Sequence, residues 1–160
     1  MTAPVLEVAD LKTWFDSRHG MLRAVDGVSF SLAPGEILGI AGESGSGKSV
    51  TGLSVLGLID PPGRIVSGRV VYKGDDLLRL PAERLRALRG DRIAMVFQDP
   101  MMTLNPVLRI ETQMIETLRA HRTTTRAEAR RIALDALRRV GIPAPEERLK
   151  GYPHQLSGGM

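Results

Sequence analysis

Apolar and polar positions along the 160-residue chain fall into two regimes. Up to about residue 98 the apolar residues come in short runs and alternations: "VLEVADL", "AVDGVSFSL", "EILGIAG", "GRVVYKG" and "RIAMVFQ". Each is bounded by Gly, Pro or Asp, and together they predict five strands. "KSVTGLSVLGLI" predicts a helix stopped by "DPPG", Asp60 to Gly63. "PAERLRALRG" predicts a short helix with Pro81 at its first position and Gly90 at its end. From "VLRIETQMIETLRAH" onward the pattern turns helical. Thr125-Arg126-Ala127-Glu128 fits a capping box, and Ala129, Ile132, Ala133, Ala136, Leu137 and Val140 form one apolar stripe. Asp135 and Arg139 make an i,i+4 pair on the outer face. Gly141 is the expected left-handed stop. No internal repeat or low-complexity linker interrupts the chain, so it reads as one domain in two parts, about 1–98 and about 99–160.

One segment carries explicit chemistry. "GESGSGKS", Gly42 to Ser49, matches G-x-x-x-x-G-K-[ST], with an expected strand, Ile37 to Ala41, running in and a helix running out. Glycines let the backbone turn so that successive N–H groups converge on phosphate oxygens. The helix that follows adds the partial positive charge of its N-terminus. Lys48 offers a point charge to the β- and γ-phosphates, and the Ser49 hydroxyl a ligand for Mg²⁺. The loop predicts binding of a nucleoside triphosphate, without saying which class of NTPase the chain belongs to.

Composition changes little in this picture. An apolar fraction of 42% and a charged fraction of 25% are ordinary for a globular domain. The absence of cysteine excludes disulfides and thiolate metal sites. No basic-then-apolar leader opens the chain, and no run approaches the roughly 20 apolar residues of a membrane span, so a cytoplasmic protein is expected. The net charge of +4 is uneven: Arg119 to Lys150 holds nine Arg or Lys against four acids. Without interleaved aromatics to stack bases, that surplus reads as a solvated helix face, and nucleic acid is an unlikely partner.

A second motif narrows the class. "LSGGM", Leu156 to Met160, with its lead-in "YPHQ", resembles the signature sequence of ATP-binding-cassette (ABC) ATPases, usually written LSGGQ. Between the two motifs, "VFQDPMMTLNP" resembles that family's Q-loop, with Gln98 at a strand end. The resemblance covers the chain from Leu6 onward. Its wording is most similar to the ATP-binding subunits of oligopeptide, dipeptide and nickel importers. Val50, Met160 and Met102-Thr103 depart mildly from the usual residues.

The resemblance implies an α/β fold: a P-loop NTPase core, an N-terminal antiparallel β subdomain and an α-helical subdomain. It implies ATP and Mg²⁺ as cofactors. Gly42, Ser44, Gly45, Ser46, Gly47, Lys48, Ser49 and Val50 would hold the phosphates, with Lys48 and Gln98 catalytic and Ser49 and Gln98 on the metal. Adenine would stack on Phe15. Trp14 is the alternative, because strand parity puts Leu11, Thr13 and Phe15 on one face and Trp14 on the other. Ser157, Gly158 and Gly159 would grip the γ-phosphate of ATP held by a second ATPase subunit. His154 is expected to be structural. The other implied partners are two transmembrane permease subunits and an extracytoplasmic solute-binding protein, at the cytoplasmic face of the membrane. In this family the acidic strand that supports Mg²⁺, its glutamate and a switch histidine follow the signature. The chain is therefore expected to be the N-terminal part of a longer ATPase, truncated before the last parallel strands. Alone it is expected to be inactive and marginally folded, with apolar surface uncovered around Ile40 and Met95. Other readings are a non-catalytic nucleotide-binding remnant and a cassette ATPase of nucleic-acid metabolism.

Overall fold

Three of the expected strands form, and all three are longer than their sequence signals. The computed structural model describes residues 3–18, 20–97, 103–157 and 160. Its strands are β1 (Leu6–Ser17), β2 (Gly20–Leu32), β3 (Gly63–Tyr72) and the two-residue β4 (Asp75–Asp76). They make one antiparallel sheet in the order β2-β1-β3-β4. Strand β1 escaped full recognition because its alternation breaks. Val8 and Leu11 are both buried although an odd number of residues apart. Asp10, at φ 47, inserts an extra residue between them, and both ladders shift register there. Gly68 of β3 accepts this bulge: a Cβ there would stand 2.6 Å from the Leu11 Cα and 2.8 Å from the Asp10 carbonyl oxygen.

By its internal contacts the chain divides into Met1–Arg89 and Gly90–Met160. In the first unit, helix α1 (Lys48–Val55) buries Thr51, Ser54 and Val55, and the buried residues of the sheet include Val8, Leu11, Val25 and Val70. The sequence expectation carried α1 on to Ile59, but Gly57 ends it. At φ 62 Gly57 donates to the Ser54 carbonyl while Leu58 donates to that of Leu53, the paired closure of a left-handed stop. Arg89, after α2 (Ala82–Leu88), then donates from Nε to the Leu56 carbonyl and from Nη2 to that of Gly57, each at 2.7 Å.

The second unit consists of α3 (Ile110–His121), α4 (Arg126–Arg139), α5 (Pro145–Lys150) and a closing turn, Pro153–Gln155. Ile110, Ala133 and Leu149 form its buried centre, with Met114, Leu118, Leu134, Leu137 and Leu156 packed around them. The Thr125 hydroxyl accepts from the Glu128 N–H at 3.2 Å, one half of the expected box. The Glu128 carboxylate turns instead to the Thr124 hydroxyl. Gly141 stops α4 at φ 75 as expected. Two expectations on this helix are corrected. Asp135 pairs with Arg131 and Arg138, not Arg139. The apolar stripe ends early, since Ala136 and Val140 are exposed and Leu134 packs in their place.

A further correction concerns the two runs read as core strands. Among the described residues, 36–42 join no strand and 92–97 contribute only an isolated bridge at Ile93. Their apolar side chains on both faces suit a strand covered on each side, and the described strands pair only among themselves. Ile37 is 96% exposed and Val96 92%; Ile40 is exposed and Met95 half-buried. The uncovered apolar surface expected around Ile40 is present.

Candidate functional site

The loop between β2 and α1 is shaped by two left-handed glycines. Gly45 and Gly47 sit at φ 83 and 88, and Gly47 is the residue from which α1 starts. A Cβ at Gly47 would stand 2.2 Å from the Ala24 carbonyl oxygen, so the start of the helix lies directly against the β2 backbone. A Cβ at Gly42 would stand 2.6 Å from the Ser46 Oγ, across the mouth of the loop. Only glycine permits the approach at Gly47, which meets backbone, whereas a Cβ at Gly42 would meet a serine hydroxyl that can turn aside.

Among the described residues, the N–H groups of Gly45, Gly47, Lys48 and Ser49 have no intramolecular acceptor. They belong to the loop and to the first turn of α1, where helix geometry leaves donors unpaired. No side chain caps that end, and its first turn holds no acid. The Lys48 ammonium donates to the Gly42 and Glu43 carbonyls at 2.7 Å each and to the Ser46 hydroxyl at 3.2 Å. Its three protons therefore point into the ring of the loop. Ser44, Ser46 and Ser49 are exposed, while Gly47, Lys48 and Val50 are half-buried. Unpaired amides, an ammonium group and a hydroxyl make a cradle for a chain of phosphates. Replacing the neutral carbonyls by charged phosphate oxygens would add an ion-pair attraction to each lysine bond. Among the described residues no group of three or more His, Asp or Glu could hold a metal.

The two aromatics of β1 point to different surroundings. Phe15 faces Gly63 across the β1–β3 ladder, and a Cβ on that glycine would meet the ring at 2.4 Å. The ring is half-buried, with Ile59 beside the same glycine. Trp14 pairs with Arg23 and Arg64, and the Arg23 guanidinium lies over its indole at 4.9 Å. Phe15 thus shares its face with the buried Leu11 and Thr13, while the indole of Trp14 is already stacked.

In the second unit, Tyr152 and Gln155 close the turn before the signature. The Tyr152 N–H donates to the Gln155 Oε1, and Leu156 reaches the buried centre. His154 is exposed and stacks on Tyr152, with ring centroids 5.7 Å apart. Ser157 is exposed, and its carbonyl accepts from the Met160 N–H at 2.9 Å. Gln98, Gly158 and Gly159 lie outside the described residues. Sequence reasoning passed over Gly63, which makes room for Phe15, and Ala24, against which the loop rests. A glycine four residues after the end of a predicted helix was the available signal for Gly63.

The comparisons with known proteins point in one direction. A model of the ABC transporter family matches residues 25–160. The chain is 53% identical over 159 residues to a Brucella abortus protein provisionally named a peptide import ATP-binding protein, covering 99% of this chain and 48% of that one. It is 46% identical over 156 residues to the dipeptide transport ATP-binding protein DppD of Escherichia coli, covering 98% and 48%. The chain thus spans about half the length of these relatives. Its fold superimposes with a TM-score of 0.82 on a dimeric post-hydrolysis state of an ATP-binding cassette bound to ADP and Pi. That match has 26% sequence identity and covers 96% of this chain and 64% of the other.

Proposed function

The chain belongs to the ABC transporter family, and from that premise we propose that it is the ATP-binding part of a subunit energising an importer of peptides or related small solutes. The observation that carries this reading is the loop geometry. Lys48, Ser49 and unpaired amides converge at the start of a helix that Gly47 seats against β2. The names of the relatives at 46–53% identity support the peptide branch.

In this reading the amides of Gly42 to Val50 and the Lys48 ammonium hold the phosphates. Phe15 takes the adenine, because the indole of Trp14 is already covered by Arg23. Ser49 and Gln98 would hold Mg²⁺, which would supply neutralisation of phosphate charge. Ser157, Gly158 and Gly159 contact ATP on a second ATPase subunit, and the helical unit faces two permease subunits at the cytoplasmic side of the membrane. A solute-binding protein delivers the cargo. Among the described residues no helix is long and apolar enough to cross a membrane. The nucleic-acid reading loses support, since Arg130, Arg131 and Arg138 of the basic segment pair with acids.

Isothermal titration of Mg²⁺-ATP into the protein tests the reading. Binding is expected, and Lys48→Ala is expected to abolish it; uptake undiminished in that variant would defeat the proposal. Any turnover is expected to fall in Lys48→Ala as well, since in this reading the ammonium supplies charge to the transferring phosphoryl group. Phosphoryl transfer is largely positioning and charge stabilisation. Losing one preorganised donor typically costs about 10²–10³ in rate.

A further inference from the structure

Two buried hydroxyls join the strand that carries Phe15 to the helix that begins with Lys48. Thr13 of β1 and Ser54 of α1 are each 0% exposed, and their Oγ atoms lie 2.7 Å apart. The Ser54 Oγ also stands 2.7 Å from the Val50 carbonyl oxygen, which can only accept. The single proton of Ser54 therefore goes to Val50, and Thr13 must donate to Ser54. The result is a directed chain from β1 into the first turn of α1. On the buried side of the same helix the Thr51 hydroxyl donates to the Gly47 carbonyl at 3.0 Å, one residue before Lys48.

Such a chain does something that apolar packing does not. Hydrophobic contact is non-directional, whereas an O–H···O bond fixes both separation and angle. At eight residues α1 is too short to hold its own direction. It is seated at one end by Gly47 against the Ala24 carbonyl and along its length by Ser54 on Thr13. Thr13 lies two residues before Phe15, on the same face of β1. The hydroxyl pair thus ties the place of the ring to the place of the phosphate cradle.

We propose that Thr13 and Ser54 are positioning residues that set the reach between Phe15 and Lys48, so that the site recognises a ligand gripped at both its base and its phosphates. The inference rests on the reading that Phe15 takes adenine and the loop takes phosphate. It deepens that reading by naming what matches the two ends to each other.

Calorimetric titration with Mg²⁺-ATP and with magnesium tripolyphosphate, which lacks a base, separates positioning from mere stability. Loss of one hydrogen bond predicts that Thr13→Val weakens ATP binding roughly three- to tenfold, leaves tripolyphosphate within about twofold, and is rescued by Thr13→Ser. Ser54→Ala repeats the test from the helix side and serves if Thr13→Val folds poorly. Equal losses for the two ligands, or ATP binding unchanged in both Thr13→Val and Ser54→Ala, would overturn the inference. Wild-type binding that is indifferent to Lys48→Ala would instead sink the functional reading beneath it. Dependence on Lys48 with indifference to Thr13 and Ser54 sinks the positioning role alone.

Discussion

Substituting Gly47 by alanine gives the sharpest test of how the loop is built. Two costs follow from its geometry. At φ 88 and ψ 3 the residue is left-handed, which costs an L-residue about 1–2 kcal/mol. The new methyl would also stand 2.2 Å from the Ala24 carbonyl oxygen and 3.3 Å from its carbon. Ordinary C···O contacts lie near 3.3–3.6 Å, so the start of α1 must withdraw from β2 by about 1 Å. Forcing a methyl into a packed backbone contact typically costs about 1–3 kcal/mol. The two together come to about 2–5 kcal/mol, a large share of the roughly 5–15 kcal/mol that stabilises a domain. Gly45→Ala is the natural control, because Gly45 is equally left-handed at φ 83 but would meet nothing within 4 Å. It should lose only the backbone part, about 1–2 kcal/mol. Urea denaturation followed by circular dichroism reads both variants. The gap between them measures the contact with Ala24, and equal losses would refute this account of how the loop is seated.

Two further expectations concern the helical unit. Leu149 is fully buried beside Ile110 and Ala133, so Leu149→Ala should cost about 2–5 kcal/mol in denaturant unfolding; a loss within experimental error would mean that this centre is not packed as described. The Glu146 carboxyl is held below its ordinary 4.5 by a backbone hydrogen bond first and by the Arg138 side chain second. A depressed folded pKa stabilises above the ordinary value, and that contribution is lost as pH falls from 4.5 through the lowered value. Arg138→Gln should therefore move the Glu146 midpoint in a carboxyl NMR titration part of the way up toward 4.5, and an unmoved midpoint would contradict the assignment of cause.

The parts legible in the sequence are those whose causes are local. The left-handed turns at Gly45 and Gly47 were readable because they depend on residues within eight positions, and Gly141 because a left-handed stop depends on its own helix. Gly57 obeys the same rule but sits within an apolar run, where the eye continues the helix to "DPPG". The run "VLEVADL" was read only as far as Leu11, because the bulge at Asp10 reverses parity and no single alternation spans the two halves of β1. The partners of Asp135 could not be ranked, since three arginines lie within four residues of it and surface pairs differ by fractions of a kcal/mol. The Thr13–Ser54 bond spans 41 positions and leaves no local trace. Gly63 left a local signal only as a glycine after a predicted helix; its role beneath Phe15 exists only once β1 and β3 are side by side.

The segment from Ile37 to Ala41 carries a consequence for how these 160 residues, taken by themselves, behave in bulk. Its backbone has no hydrogen-bond partner among the described residues, and Ile37, Leu38 and Ile40 stand open to water with no charge between them. A bare, branched-chain ribbon of this kind is adhesive toward any other strand, including its twin on a neighbouring molecule. Recovery after dilution from denaturant should therefore fall as the sample is made more concentrated, and a single lysine at Ile37 should act as a gatekeeper that keeps the preparation clear.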